Sequence, residues 1–205
     1  MSDQTPEKQA LLTREDILSA LQEIGRLARE EGVLVDIAIY RGSAIALEWQ
    51  FRTRTRDVDV IIHGDSPFVR RASDTIASER GWPKDWLNDA VKGFVSEHGE
   101  HRVYEEYIDD RQMGLRVFVP TAEYLLAMKC MAMRINDEEG HDVADIQHLI
   151  ADLGIKTVDA VFAIVEKYYS RQRIQPKTYY GIKEILTKTT ADDHNHAIST
   201  SSESR

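Results

Sequence analysis

The first half of the chain combines helical and extended hydrophobic patterns. Thr13-Arg-Glu-Asp16 has the form of a capping box, and the apolar residues after it recur at helical spacing until Gly32. VLVDIAIY (33–40) and DVDVII (57–62) have the pattern of strands. The remaining segments of this half are predicted helices at 44–50, 66–80 and 84–94, and predicted strands at 101–108 and 115–119.

From Pro120 onward the hydrophobic pattern is helical throughout. It predicts helices at about 120–135, 140–153, 156–170 and 177–188. Both ends are polar, so we expect a flexible arm at 1–12 and a disordered tail at 189–205. The predicted fold class is α+β: a mixed sheet with flanking helices at 13–119, followed by a C-terminal helical subdomain at 120–188.

Composition narrows the class of protein. Of the 205 residues, 42% are hydrophobic and 30% are charged, the balance of a globular chain with a real core. The single cysteine, Cys130, excludes an internal disulfide framework and a cysteine-based zinc site. No apolar run approaches the roughly 20 residues of a membrane helix, and the N-terminus lacks the order of a signal peptide. We therefore expect a cytoplasmic protein with no membrane partner.

Charge is unevenly distributed. The net charge is −9, yet the stretch from Arg41 to Arg56 carries four arginines against Glu48, a local +3 that leaves −12 on the remainder. Basic groups focused in an acidic chain favour local capture of phosphates over a broad nucleic-acid surface. Arg56, next to Asp57, is the arginine we assign to nucleotide binding. The alternative is a solvated arginine-rich loop.

Asp57 and Asp59 share one face of a predicted strand. Side chains alternate along a strand, so the two carboxylates lie about 6.6 Å apart on the same side. That spacing suits Mg²⁺, which binds carboxylate and phosphate oxygens. Gly42-Ser43, separated from Asp57 by thirteen residues, occupies a predicted strand-to-helix turn, where backbone N–H groups and the helix dipole attract an anion. The alternative is a strand end with solvent-facing carboxylates.

These residues carry a family resemblance. Gly-Ser, thirteen residues and Asp-Val-Asp, in strand–turn–helix–strand order, resemble the nucleotidyltransferase signature of the DNA-polymerase-β-like superfamily. "VFVPTAEYLLAMKCMAMR" followed by "HDVADIQHLI" resembles the helical half of the abortive-infection nucleotidyltransferases, the toxin components of some bacterial toxin–antitoxin pairs. "WPKDWLND" is similar to a segment of uncharacterised relatives. The resemblance covers roughly residues 30–152.

The resemblance implies a nucleotidyltransferase-like fold and an activity. A nucleoside triphosphate (NTP) and Mg²⁺ would bind, and a nucleotide would be transferred to a hydroxyl, often of tRNA in the toxin branch. An antitoxin protein would be a further partner. Carried over by position, Gly42 and Ser43 hold phosphate, and Asp57 and Asp59 hold metal.

The resemblance also assigns roles in the helical half. Lys129 matches a lysine that would contact NTP phosphate, and Asp142 or Asp145 matches an aspartate proposed to assist catalysis. The alternative for Lys129 is the exposed stripe of an amphipathic helix, and we expect an exposed side chain there. His141, Asp145 and His148 fall on one helical face, where they could bind a metal, but a solvated or capping role is favoured.

Two positions depart from the family pattern. Relatives commonly have two glycines where this chain has Arg41-Gly42. A third metal-binding carboxylate is expected on a later strand, where this chain has Arg116; Glu105, Glu106 or Asp109 could substitute. The missing carboxylate supports a second hypothesis, a degenerate nucleotidyltransferase fold that binds a nucleotide or a partner protein without chemistry.

Overall fold

The computed structural model of the protein describes residues 11–49, 53–133 and 141–187. The predicted tail and residues 1–10 of the predicted arm lie outside these ranges. Two compact units are present. The first comprises the described residues up to Gly93 together with His101–Pro120. The second comprises Phe94–Glu100 and the described residues from Thr121 onward.

The first unit contains seven strands among its described residues. They are β1 (Leu12–Thr13), β2 (Leu34–Tyr40), β3 (Arg54–Thr55), β4 (Val58–Gly64), β5 (Leu87–Asn88), β6 (His101–Ile108) and β7 (Gly114–Pro120). Five of them form a mixed sheet in the order β5-β4-β2-β7-β6, and β1 pairs with β3. In the mixed sheet, β2 runs antiparallel to β4 and parallel to β7. The predicted α+β class with a mixed sheet is confirmed.

Three α-helices accompany this sheet: α1 (Arg14–Glu31), α2 (Arg41–Glu48) and α3 (Ser66–Arg80). The predicted capping box of α1 is confirmed, because the Thr13 hydroxyl accepts from the Asp16 amide and the Asp16 carboxylate accepts from the Thr13 amide. Gly32 ends α1 in the left-handed conformation, with φ 69°. α1 packs against β7, and α3 packs against α1 and β4.

The two faces of the sheet differ in chemistry. On the central strands β2 and β7, one face is apolar and buried, as shown by Val35, Ile37 and Val117, all 0% exposed. The other face bears Asp59 and Arg116, together with less buried apolar side chains. Burial of the apolar face fixes the strand register, because a slip of one residue would exchange the two faces. The register in turn decides where each candidate site residue lies.

The predicted helix at 84–94 is wrong. Leu87–Asn88 forms β5, and Ala90–Gly93 forms a short 3-10 helix. The extended segment pairs with β4 through its backbone, while Trp86 is fully buried and donates its indole N–H to the Ser73 carbonyl. Burial of this large ring and the non-local strand pairing outweigh the local helical pattern.

The short helix after β2 begins earlier than predicted. α2 starts at Arg41 and ends at Glu48, whereas the sequence predicts a helix at 44–50. Gly42 and Ser43 therefore lie in the first helical turn. The change of direction occurs at Arg41, whose φ of 55° is left-handed.

The second unit is helical. Its helices are α4 (Ala122–Ala132), α5 (His141–Asp152), α6 (Val158–Tyr168) and α7, described over 176–187. α4 packs against both α5 and α6. The hydroxyl of Tyr124 on α4 accepts from the Ser96 amide, which ties the segment Phe94–Glu100 to this unit. Throughout the part of the chain that the structure describes, every helix is too short or too polar to cross a membrane.

The hairpin between β6 and β7 depends on Gly114, so Gly114→Ala should destabilise the protein. Gly114 has φ +137°, and an added Cβ would lie 2.1 Å from the Tyr107 carbonyl oxygen. Relieving the clash requires the hairpin backbone to shift. We expect a loss of about 2–4 kcal/mol in the free energy of unfolding, measured by urea denaturation followed by circular dichroism.

Gly93→Ala is the matched control. An added Cβ at Gly93 would meet no atom within 4 Å, so its effect should stay within about 1 kcal/mol. Equal effects of the two substitutions would contradict the assigned hairpin geometry.

Candidate functional site

Asp59 lies beside the end of β2. In the antiparallel pairing of β2 with β4, Asp59 is the register partner of Tyr40, which is the last residue of β2 and the N-cap residue of α2. Direct partners in such a pair project to the same face. Asp59 is only 5% exposed, so a carboxylate is buried next to the start of a helix.

The N-cap residue of α2, Tyr40, does not cap the helix through its side chain. Thr13, Asp65, Thr121 and Thr157 each cap their helices through a side-chain oxygen, whereas Tyr40 makes no capping hydrogen bond to α2. The first N–H groups of a helix have no partner within the helix. With the positive end of the helix dipole, they form a place where an anion can bind. The Tyr40 hydroxyl instead shares a 2.8 Å hydrogen bond with Nε2 of His101.

Gly42 and Ser43 are both buried in this turn. The Ser43 hydroxyl, 1% exposed, donates a 2.7 Å hydrogen bond to the carbonyl of Tyr40. Ser43 therefore stabilises the junction of β2 and α2 before any ligand binds. A phosphate contact from its hydroxyl would require the side chain to exchange this bond. Arg56 lies exposed in the bend that precedes Asp57.

Asn88 adjoins the candidate site, although the sequence did not indicate it. Asp57 precedes β4, and its Oδ2 accepts a 3.1 Å hydrogen bond from Nδ2 of Asn88. Asn88 is also the register partner of Asp59 on β5. A single amide side chain thus contacts one candidate metal ligand and lies level with the other. Asn88 belongs to the segment WPKDWLND, which the sequence analysis noted. Because a helix was predicted at 84–94, the pairing of Asn88 with β4 was not expected.

The substitutes suggested for the third carboxylate lie elsewhere. Arg116 forms two 2.7 Å hydrogen bonds to Asp36, which raise the pKa of the guanidinium, and Glu106 is the register partner of Arg116. Asp36 lies four residues before Tyr40 on β2, which corresponds to roughly 13 Å of strand. Glu106 is therefore far along the sheet from Asp59.

Asp109 has a structural role, and Glu105 lies near Glu106. The Asp109 carboxylate accepts from the amides of Arg111 and Met113 within the hairpin turn. Glu105 is the register partner of Val117, the residue next to Arg116. Level with Asp59, β7 presents Pro120, and β6 presents His101, the register partner of Pro120. In the described part of the sheet, this row offers no third carboxylate.

The donor set suits Mg²⁺ only together with phosphates. Mg²⁺ is usually held by one or two carboxylates plus substrate phosphates and waters, and Asp57 and Asp59 supply two carboxylates. Within the described ranges, there is no group of three or more His, Cys, Asp or Glu side chains placed to hold a metal ion. The residues present therefore fit Mg²⁺ that arrives with a nucleotide better than Mg²⁺ alone.

Lys129 is buried in the second unit, so the expectation of an exposed side chain is wrong. Its Nζ lies 3.1 Å from Oδ1 of Asp142 and 2.6 Å from Oδ2 of Asp145. The three side chains are 5–11% exposed. The structure thus brings together the three residues predicted in this half, as an ion cluster that joins α4 to α5. Whether Lys129 contacts phosphate stays a prediction.

The histidines beside this cluster are exposed. His141 and His148 are accessible on α5, whereas Asp145 is buried against Lys129. Three ligands of one metal must converge on a single point. The pairing of Asp145 with Lys129 does not favour a metal on this face.

Comparison with known proteins finds a distant structural similarity. No family model matches the sequence, and no curated protein matches it. Among solved structures, the chain is similar to the crystal structure of an antigenic nucleotidyltransferase-like protein from Paracoccidioides brasiliensis. The identity is 14%, the TM-score is 0.43, and the match covers 80% of this chain and 99% of the other. Likeness at this level assigns neither a family nor a function.

The ion cluster predicts that Lys129→Met will destabilise the second unit. Removal of the ammonium group would leave Asp142 and Asp145 as two buried carboxylates without their cation. Breaking a buried ion pair on one side costs about 3–5 kcal/mol. We expect a correspondingly lower melting temperature, measured by circular dichroism.

Lys167→Met provides the control for this substitution. Lys167 on α6 is also paired with a carboxylate, 2.6 Å from Glu123, but the side chains are 52% and 37% exposed. An exposed pair contributes about 0–1 kcal/mol. If Lys129→Met cost no more than Lys167→Met, the cluster would not be a source of stability.

Proposed function

We propose that the protein is a Mg²⁺-dependent nucleotidyltransferase that transfers a nucleotide from an NTP to a hydroxyl of an acceptor. One observation carries the proposal. Tyr40 is at once the register partner of Asp59 and the N-cap residue of α2, so a buried carboxylate adjoins a helix start that its N-cap side chain does not cap. A triphosphate bridged by metal needs an anion site and a carboxylate side by side.

In this proposal the first turn of α2 holds the phosphates. Gly42 allows the phosphates to approach the backbone closely, and Ser43 and Arg56 add a hydroxyl donor and a positive charge. Asp57 and Asp59 would hold the metal, with Asn88 fixing the orientation of Asp57 through its hydrogen bond. Bound there, Mg²⁺ would neutralise charge on the phosphates.

The reaction joins the acceptor hydroxyl oxygen to the α-phosphorus. The bond from that phosphorus to the β-phosphate oxygen breaks, pyrophosphate leaves, and the hydroxyl proton passes to solvent or to a base. The family resemblance suggests RNA, tRNA in particular, as acceptor and an antitoxin as protein partner. It also suggests that Lys129 contacts phosphate and that Asp142 or Asp145 assists. Lys129 would have to leave its aspartates to do so.

A second candidate function is nucleotide binding without transfer. The described row of the sheet level with Asp59 supports it, because Pro120 and His101 occupy the positions on β7 and β6. Without a third carboxylate, activation of an acceptor hydroxyl lacks an evident base. The same first turn of α2 would bind the triphosphate in both cases.

Label transfer tests the leading proposal, and Asp59→Asn should abolish it. The protein is incubated with each NTP labelled at the α-phosphate, Mg²⁺ and total RNA, and label is followed into RNA and protein. Loss of the Asp59 charge removes neutralisation at the phosphates, so we expect transfer to fall by more than about a hundredfold.

Glu106→Gln separates the roles of the carboxylates. Glu106 lies beside Arg116 and far along the sheet from Asp59, so transfer should be unchanged. Loss of transfer in this variant would instead identify Glu106 as the third carboxylate. Binding of Mg²⁺–NTP by titration calorimetry without any transfer would support the second candidate, and absence of binding would exclude both.

A further inference from the structure

Arg41 adopts a backbone conformation that is unfavourable for an arginine. Its φ is 55°, and Gln112, with φ 62°, is the other non-glycine residue with a positive φ in the described ranges. Gln112 lies in the exposed hairpin turn between β6 and β7. Arg41 lies at the junction of buried β2 with α2. A non-glycine residue persists in such a conformation only where its surroundings compensate.

The side chain of Arg41 contacts the candidate site. Its Nη1 lies 3.9 Å from Oδ2 of Asp59. The Arg41 side chain is 36% exposed, whereas the Asp59 side chain is 7% exposed. A cation at this distance offsets part of the cost of burying the carboxylate, but 3.9 Å is too long for a hydrogen bond. The pair is therefore an ion pair that a better partner can replace.

A metal bound through Oδ2 of Asp59 would compete with this guanidinium for the same oxygen. Mg²⁺ loses its hydration water reluctantly, and a guanidinium beside the carboxylate repels a second cation. Phosphates change this balance, because guanidinium groups bind them through paired hydrogen bonds. Arg41 is the first residue of α2, so phosphates at the start of α2 would lie within reach of its side chain.

We propose that Arg41 is a phosphate-responsive counter-ion that excludes divalent cations from Asp59 until a nucleoside triphosphate binds. In the nucleotide-free protein the guanidinium neutralises Asp59. When the triphosphate occupies the first turn of α2, the guanidinium moves to the phosphates and no longer competes at Asp59 with the metal that the nucleotide carries. This inference rests on the proposed nucleotide site and adds the order in which its parts assemble.

Calorimetric titration with Mg²⁺ alone, and with Mg²⁺ plus each NTP, tests the inference. Arg41→Gly should bind Mg²⁺ alone at least about tenfold more tightly than the wild type, because the competing cation is gone. The same variant should bind Mg²⁺–NTP at least about tenfold more weakly, because a phosphate contact is lost. Arg41→Lys keeps the charge and should still exclude Mg²⁺.

Two further variants isolate the cause. Gln112→Gly relieves the same backbone conformation away from the site, so its Mg²⁺ and NTP affinities should equal those of the wild type. Adding Asp59→Asn to Arg41→Gly should remove the gained Mg²⁺ affinity. Melting curves of all variants establish that each is folded before titration.

The outcomes separate this inference from the function it rests on. If the wild type binds Mg²⁺–NTP but Arg41→Gly gains no affinity for Mg²⁺ alone, the counter-ion role is wrong and the nucleotide site stands. A gain that survives Asp59→Asn would also overturn the inference. If the wild type binds no NTP, the proposed function fails, whatever Arg41→Gly does with Mg²⁺.

Discussion

The pairing of Tyr40 with Asp59 across β2 and β4 is the constraint on which the candidate site depends. Tyr40 ends β2 and is the N-cap residue of α2, so whatever residue pairs with it lies beside the start of that helix. The apolar face of the sheet holds this register, since a slip of one residue on β4 would turn the Asp59 carboxylate into the core. Burial of the apolar face of the sheet therefore fixes the position of Asp59 in the candidate site.

The polar contacts around Asp59 are of two kinds: some fix the local geometry, and one balances charge. The Ser43 hydroxyl donates to the Tyr40 carbonyl, the Asn88 amide donates to Asp57, and Nη1 of Arg41 lies 3.9 Å from Oδ2 of Asp59. The first two fix the geometry of the turn and of one carboxylate. The Arg41 guanidinium balances the charge of Asp59, and a phosphate could displace it in the proposed mechanism. The buried cluster of Lys129 in the second unit differs, because short contacts to two aspartates join its helices.

Local patterns in the sequence predicted most elements and marked the carboxylates of the candidate site. The capping box at Thr13 and the strand containing Asp59 depend on nearby residues, so both can be recognised in the sequence. β5 was missed because Leu87–Asn88 is a strand only through pairing with β4, which is non-local. Without β5, the contact of Asn88 with Asp57 could not be predicted.

The sequence also did not predict the burial of Lys129 or the backbone conformation of Arg41. A lysine in a helical segment is usually exposed, and Lys129 is buried because Asp142 and Asp145 lie on the next helix along the chain. Arg41 stands where the family pattern commonly has a glycine. Its positive φ became evident only from the junction of β2 with α2. In both cases the deciding partner lies outside the local pattern.

Crystals of the protein grown with Mn²⁺ and a non-hydrolysable ATP analogue would test the central claim most directly. Mn²⁺ binds the same oxygen ligands as Mg²⁺ and gives an anomalous signal that locates it. We expect a peak at about 2.1 Å from a carboxylate oxygen of Asp59, with the triphosphate against the first turn of α2. A nucleotide bound elsewhere, or Mn²⁺ bound away from Asp59, would contradict it.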